Sequence, residues 1–148
     1  MGQRGGVPLR SVYLDTHAAI FLHAGELERL GTEGKRQIES NDVLISPMVL
    51  LEMNYLYESG KVRYGAKEIY AALNATFGIR LCPIPFSDVA LQALEVTWTR
   101  DPFDRMIVAQ AQVNQHATLI TRDACSRFIT SGASGRNGLA PELYRALI

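Results

Sequence analysis

Four acidic residues stand beside predicted strand ends or helix starts, although they are far apart along the chain. Asp15 follows the strand-like stretch SVYL, and Glu52 lies in the helical stretch PMVLLEMNYL. Asp104 begins the helical run of TRDPFDRMIVAQA, and one residue separates Asp123 from the strand-like ATLIT. Carboxylates without histidine or cysteine partners are typical ligands of hard cations such as Mg²⁺ and Mn²⁺. The pattern predicts a divalent-cation site.

Each aspartate also has a purely structural alternative. Asp15 could cap the first helix, and Asp104 could be a first-turn carboxylate favoured by the helix dipole. Asp123 could cap a short helix beginning ACSRF. Asp101 directly precedes Pro102, so we predict that it is the N-cap of the following helix and a supporting residue.

Glu52 differs because apolar residues flank it on both sides. An unpaired glutamate in a protein core is costly, so this position requires a partner or a metal ion. The four acids are expected to converge, because ligands of open parallel sheets bind beyond the carboxyl ends of the strands.

The elements that would position these acids alternate between strands and helices. This order predicts a three-layer α/β/α fold, Rossmann-like, with a central, mostly parallel sheet of four or five strands. We expect a flexible N-terminal arm over residues 1–10 and one domain over residues 11–148. The predicted strands are residues 11–14, 43–46, 79–86 and 117–121, and the main predicted helices are residues 47–60, 66–77, 87–96 and 102–115.

Composition narrows the class of protein further. The 148 residues carry no formal net charge, which argues against binding nucleic acid through bulk charge alone. The two cysteines form no C-x-x-C pair, and the three histidines show no H-x-x-x-H spacing, so zinc is unsupported. No apolar run is long enough to cross a bilayer, and we expect a cytoplasmic protein without membrane contact.

Four sequence blocks, taken together, resemble the PIN-domain nucleases, specifically the VapC-type toxins of bacterial toxin–antitoxin pairs. The blocks are YLDTHAAIFL, SPMVLLEMNYL, TRDPFDRMIVAQA and LITRD. The resemblance extends from Val12 to about Phe128. One departure is that family members place a fifth strand after the last acid, whereas residues 131–148 contain no clear strand.

The resemblance implies a Mg²⁺- or Mn²⁺-dependent endoribonuclease that leaves a 5′-phosphate and a 3′-hydroxyl. It implies that the metal-binding and catalytic acids are Asp15, Glu52, Asp104 and Asp123. Thr121 matches a hydroxyl position near the metal, and Thr16 matches a polar position beside the first acid. It further implies an RNA substrate, a cognate antitoxin and a homodimer.

Four arginines lie near these acids in the sequence and are candidate contacts for RNA phosphates, which arginine binds through paired hydrogen bonds. They are Arg100, Arg105, Arg122 and Arg127. For each one, a solvated helix-face charge is the simpler interpretation. In the helix of Glu52, we expect most of Met48, Leu51 and Tyr55 to belong to the core.

The sequence also has to be compared with the requirements of other classes of protein. A haloacid-dehalogenase-type enzyme needs a second aspartate two residues after Asp15, where this chain has His17. A receiver-type domain needs an acidic pair before the end of the first strand and a lysine after a late strand. This chain has neither. A free-standing RNA-processing nuclease and a non-catalytic metal- or RNA-binding module of the same fold both stay open.

Overall fold

The computed structural model describes residues 10–115 and 117–122, together with the strand backbone of residues 125–127. Several sequence predictions therefore lie outside the described residues. These are the arm before Arg10, the position of Asp123 and the expectation that residues 131–148 contain no clear strand. No helix in the described part of the chain is long and apolar enough to cross a membrane.

A five-stranded sheet forms the centre of the fold, in the order β3-β2-β1-β4-β5. The strands β1 to β4 are parallel, and β5 pairs antiparallel with β4. The predicted fold class is thereby confirmed. The strands are β1 Ser11–Leu14, β2 Asp42–Ile45, β3 Arg80–Leu81, β4 Thr118–Ile120 and β5 Cys125–Arg127.

The chain builds the sheet outwards from β1 to β3 and then crosses back to place β4 on the other side of β1. Because connections between parallel strands are right-handed, the two halves carry their helices on opposite faces. The order reverses between β1 and β4, which is where ligands bind in open α/β sheets. A hydrogen bond of 3.0 Å from Asp15 N to Ile120 O joins the two strand ends at this point.

Six α-helices and one 3-10 helix surround the sheet in the described part of the chain. Two of these helices begin where the sequence predicts, because a serine or aspartate cap is followed by proline at Ser46-Pro47 and at Asp101-Pro102. The helices are α1 Thr16–His23, the 3-10 helix Leu27–Leu30, α2 Gly31–Ser40, α3 Pro47–Glu58, α4 Ala66–Phe77, α5 Phe86–Ala93 and α6 Pro102–Val113.

The C-terminal sheet edge differs from two sequence expectations. Cys125–Arg127 is a strand, so the alternative in which Asp123 caps a helix beginning ACSRF is wrong. The sheet also has a fifth strand, whereas the sequence prediction did not decide between four strands and five. This strand, Cys125–Arg127, comes soon after the last predicted acid in the sequence and before residues 131–148.

The third strand is much shorter than predicted. Regular pairing covers only Arg80–Leu81, and Cys82 N adds one further hydrogen bond to Ile45 O at 2.9 Å. Pro83 and Pro85 then interrupt the ladder, because proline has no N–H to donate.

A buried polar network ties α6 to the centre of the sheet. The Tyr13 hydroxyl lies 3.0 Å from Cys82 Sγ, which also accepts from Gln110 Nε2 at 3.2 Å. Asn114 Nδ2 donates to the Tyr13 hydroxyl at 2.8 Å. Buried polar groups require such partners, and these contacts hold α6 at a defined height along β1. The first turn of α6 is thereby fixed beside the carboxyl ends of the strands.

Candidate metal centre

Asp15 occupies the end of β1 and is both a helix cap and a buried carboxylate. Its Oδ1 accepts a hydrogen bond of 2.8 Å from Ala18 N, in the first turn of α1. Its Oδ2 is buried and has no hydrogen-bond partner among the described residues. Leaving a carboxylate oxygen buried and unpaired is costly, so this atom requires a charged or hydrogen-bonding partner.

Glu52 reaches the same sheet edge from α3. Ser46 ends the β2–α3 turn and caps the helix by accepting from Met48 N at 3.2 Å. Glu52 lies less than two turns further on and is half-buried. Thr16, at the start of α1, faces Glu52 closely enough to favour its charged form, although the Thr16 hydroxyl makes no hydrogen bond of ordinary geometry to any residue that the structure describes.

Two more carboxylates come from the start of α6. Asp101 Oδ1 accepts from Phe103 N at 2.8 Å and from Asp104 N at 3.1 Å, so Asp101 is the helix N-cap that the sequence predicts. Asp104 follows in the first turn and is 7 % exposed. Both capping bonds use Oδ1, which leaves Oδ2 of Asp101 outside them.

Thr99 completes this turn, although it is not among the site residues predicted from the sequence. Its buried hydroxyl accepts from Asp101 N at 3.2 Å and makes a long contact of 3.5 Å to Asp104 Oδ2. A threonine two residues before an N-cap aspartate is a local signal for such a turn. The Thr99-x-Asp101 spacing therefore could have identified Thr99.

The structure brings three of these carboxylates into one cluster. One oxygen each from Glu52, Asp101 and Asp104 lies within 4.8 Å of the others, a spacing suited to a shared cation. Asp101 therefore stands closer to the cluster than its predicted role as a cap suggested. Asp15 lies outside this 4.8 Å group, but the charges of Glu52 and Asp104 both act on it.

Burial and mutual repulsion raise the pKa values of these acids. Burial is the largest cause for Asp15, whose pKa rises to about 7. Burial, followed by the charges of Asp101 and Glu52, raises the pKa of Asp104 to about 7. The pKa of Glu52 also rises, first through burial and then through the charge of Asp101. A cation would offset both causes, since it replaces lost solvation and separates like charges.

The remaining predicted site residues differ in placement. Thr121 is fully buried directly after β4, and Arg122 is close enough to lower the pKa of Asp15. Arg105 Nε donates to Thr99 O at 2.7 Å, so this arginine stabilises the turn before α6. Arg100 is exposed, while Asp123 and the side chain of Arg127 lie outside the described residues. The metal-binding and substrate-binding roles of all these residues stay predictions.

The sequence of the chain matches the family model of the PIN domain over residues 12–125. This match covers well over half of the chain, so the protein belongs to the PIN-domain family, whose members are nucleases. The predicted family is thereby confirmed. Comparison with curated proteins gives no match.

One solved structure to which this chain is similar is the crystal structure of VapBC2 from Rickettsia felis bound to a DNA fragment from their promoter. The two chains are 14% identical, the superposition covers 74% of this chain and 86% of that one, and the TM-score is 0.49.

The first prediction concerns the stability of the metal-free protein. Asp15 and Asp104 have folded-state pKa values of about 7, against 3.8 for an aspartate that is free in water. The folded state therefore binds protons more tightly, and the free energy of unfolding should fall as pH rises from about 4 to about 7. We expect Asp104→Asn to raise the melting temperature in EDTA at about pH 8, by roughly 4 °C per kcal/mol of repulsion removed.

Thermal unfolding in EDTA across this pH range measures the effect. The exposed Asp42→Asn is the matched control and should leave the melting temperature in EDTA at about pH 8 unchanged. Identical pH profiles for the parent and Asp104→Asn would show that neither burial nor the neighbouring carboxylates raise the pKa of Asp104.

The second prediction separates the two roles of Asp101. Asparagine is also a good N-cap, so Asp101→Asn should keep the free energy of unfolding within about 0.5 kcal/mol, whereas Asp101→Ala should lower it by about 1 kcal/mol. Both variants remove a carboxylate from the cluster, and both should weaken Mn²⁺ binding by roughly 10-fold. Urea unfolding in EDTA and calorimetric titration with Mn²⁺ provide the two measurements. Unchanged Mn²⁺ affinity in Asp101→Asn would make Asp101 a cap alone.

Proposed function

We propose that this protein is a metal-dependent endoribonuclease that hydrolyses RNA phosphodiester bonds. The observation that carries the proposal is the convergence of Asp15, Glu52, Asp101 and Asp104 at the switch point of the sheet, with Asp15 Oδ2 buried and unpaired among the described residues. Caps and ion pairs alone do not explain this arrangement, because the carboxylates face one another. Family membership supports nuclease chemistry at such a site.

The donor set fits Mg²⁺ or Mn²⁺. All the facing groups are carboxylate or hydroxyl oxygens, which these cations prefer, and described histidine and cysteine side chains do not join the cluster. Glu52, Asp101 and Asp104 would hold the ion, with Asp15 beside them. Asp123 is the further ligand that the sequence resemblance implies.

The bound ion would polarise a phosphodiester oxygen and lower the pKa of a water molecule for in-line attack. The chain's own residues determine the geometry around it. The Asp101 cap and the Thr99 hydroxyl hold Asp104 in place, and the burial of Asp15 keeps its carboxylate in one orientation. The charge of Arg122 acts on Asp15, which supports our proposal that this arginine contacts a substrate phosphate.

We further propose that the nuclease is the toxin of a VapBC-type pair. The sequence blocks around Asp15, Glu52 and Asp104 support this biological role. An apolar groove lies between α3, the helix that carries Glu52, and α4. We propose that an antitoxin binds in this groove, which is lined by residues including Leu50, Leu51, Tyr57 and Tyr70. Exposed apolar residues on and just after α5 offer a surface for a second copy of the chain; they are Phe86, Leu91 and Leu94.

The third prediction is the loss of cleavage on removing one ligand charge. We expect the parent to cut single-stranded RNA with Mg²⁺ or Mn²⁺ but not in EDTA, and Glu52→Gln to lose at least ~100-fold of this activity. Glu58→Gln is the matched control on the same helix, because Glu58 is exposed and bonds only to Asn54 among the described residues.

Gel analysis of a mixed RNA panel measures this cleavage. Equal cutting by the parent and Glu52→Gln would refute the proposed site. Cation binding by a parent that cleaves none of the RNAs would favour the non-catalytic binding module.

The fourth prediction tests the toxin role. Induced expression of the parent should arrest bacterial growth, Glu52→Gln should not, and co-expression of a small DNA-binding protein encoded next to this gene should restore growth. Colony counts after induction provide the measurement. Cleavage in vitro without growth arrest would instead indicate a free-standing RNA-processing nuclease.

A further inference from the structure

An aromatic pair stands beside the acidic cluster and has no role in the proposed chemistry. The rings of Tyr55 and Phe103 have centroids 6.2 Å apart and planes inclined by 37°. Tyr55 is 56% exposed, whereas we had expected it to belong mostly to the core. Leu51, one turn earlier on α3, is 57% exposed and differs from expectation in the same way.

Both rings are held next to the carboxylates by the backbone that bears them. Tyr55 lies three residues after Glu52, so the two side chains share one side of α3. Phe103 stands between Asp101 and Asp104, and its N–H donates to Asp101 Oδ1. The pair therefore borders the cluster where α3 and α6 meet.

Packing alone does not account for the position of Tyr55. More than half of its surface faces solvent, so its burial against Phe103 contributes little to stability. Met53 on the same helix is fully buried and already anchors α3 to the core. An exposed aromatic ring supported by a second ring is instead suited to receive another flat group.

The charge of the chain makes such a contact useful for a nuclease. Its net charge is zero and its site is acidic, so attraction to phosphates contributes less than in a basic protein. Stacking of bases on aromatic rings is independent of charge and accepts any base, because every base has a π-face. Unpaired bases of RNA are available for such stacking, whereas bases within a helix are not.

We propose that Tyr55 stacks an unpaired RNA base next to the phosphate that is cleaved, and that Phe103 positions the Tyr55 ring. This inference rests on the proposed nuclease function. Tyr55 is the substrate contact and Phe103 a positioning residue. The substrate would be single-stranded or looped RNA in which a nucleotide beside the cut is unstacked.

The test compares steady-state cleavage of single-stranded RNA by the parent and its Tyr55 variants. Tyr55→Leu should raise KM by about 10-fold or more, while kcat should change little, because stacking binds the substrate and transition state alike. Tyr55→Phe keeps the ring and should restore the parental KM. Phe103→Leu should raise KM by a smaller factor than Tyr55→Leu does.

Phe77→Leu is the matched control. Phe77 is 44% exposed at the end of α4, and it belongs neither to the acidic cluster nor to the groove between α3 and α4. The KM of this variant should equal that of the parent. The ratio of KM values for Tyr55→Leu and the parent should also persist at high salt, since salt screens phosphate contacts but not stacking.

A direct readout uses RNA that carries 2-aminopurine at successive positions, bound to the Asp104→Asn variant. Fluorescence should be quenched at one position near the cut, and adding Tyr55→Leu should abolish that quenching. Parental KM values for both Tyr55→Leu and Phe103→Leu, with no quenching at any position, would overturn the stacking site while leaving the nuclease intact. A parent that neither cuts nor binds RNA would overturn the nuclease proposal and the stacking site together.

Discussion

Mutual repulsion among carboxylates at one edge of the sheet is the constraint on which the arrangement of this protein depends. Burial and like charge raise the pKa values of Asp15, Glu52 and Asp104 in the absence of a cation. A fold that served stability alone would not bring these groups together. The hydrogen bonds and packing around them therefore have to hold side chains in positions that their charges oppose.

Helix N-termini supply part of that support. Asp15 caps α1, Ser46 caps α3 and Asp101 caps α6, so three helices begin at the edge where the acids meet. The N-terminus of a helix carries partial positive charge and unpaired N–H groups, both of which favour nearby carboxylates. Capping and cation binding are thus compatible roles for an aspartate at such a helix start.

The topology explains why distant parts of the chain supply the site. The sheet order reverses between β1 and β4, which opens a crevice at their carboxyl ends. Asp15 and Thr121 follow those two strands directly, while α3 and α6 bring Glu52 and Asp104 over the crevice. The network of Tyr13, Cys82, Gln110 and Asn114 fixes α6 against the sheet from the opposite end. These hydrogen bonds thereby help to hold the first turn of α6, which carries Asp104, in place.

The sequence by itself determined the features that depend on local chemistry. Ser46-Pro47 and Asp101-Pro102 marked helix starts, because a short polar cap followed by proline satisfies the first backbone donors wherever it occurs. The alternation of strands and helices indicated the parallel sheet, and four acids at element boundaries indicated one functional edge. The four sequence blocks that resemble PIN-domain nucleases contain the same four acids.

Only the tertiary structure decided which side chains meet and which face solvent. It placed Asp101 within the cluster, left Asp15 Oδ2 unpaired among the described residues and exposed Leu51 and Tyr55. It also reduced β3 to two residues and paired β5 antiparallel with β4. These outcomes depend on neighbours supplied by elements distant in the chain, and a helical or strand pattern records only its own residues. An apolar position on α3 therefore looks the same in sequence whether another helix covers it or solvent does.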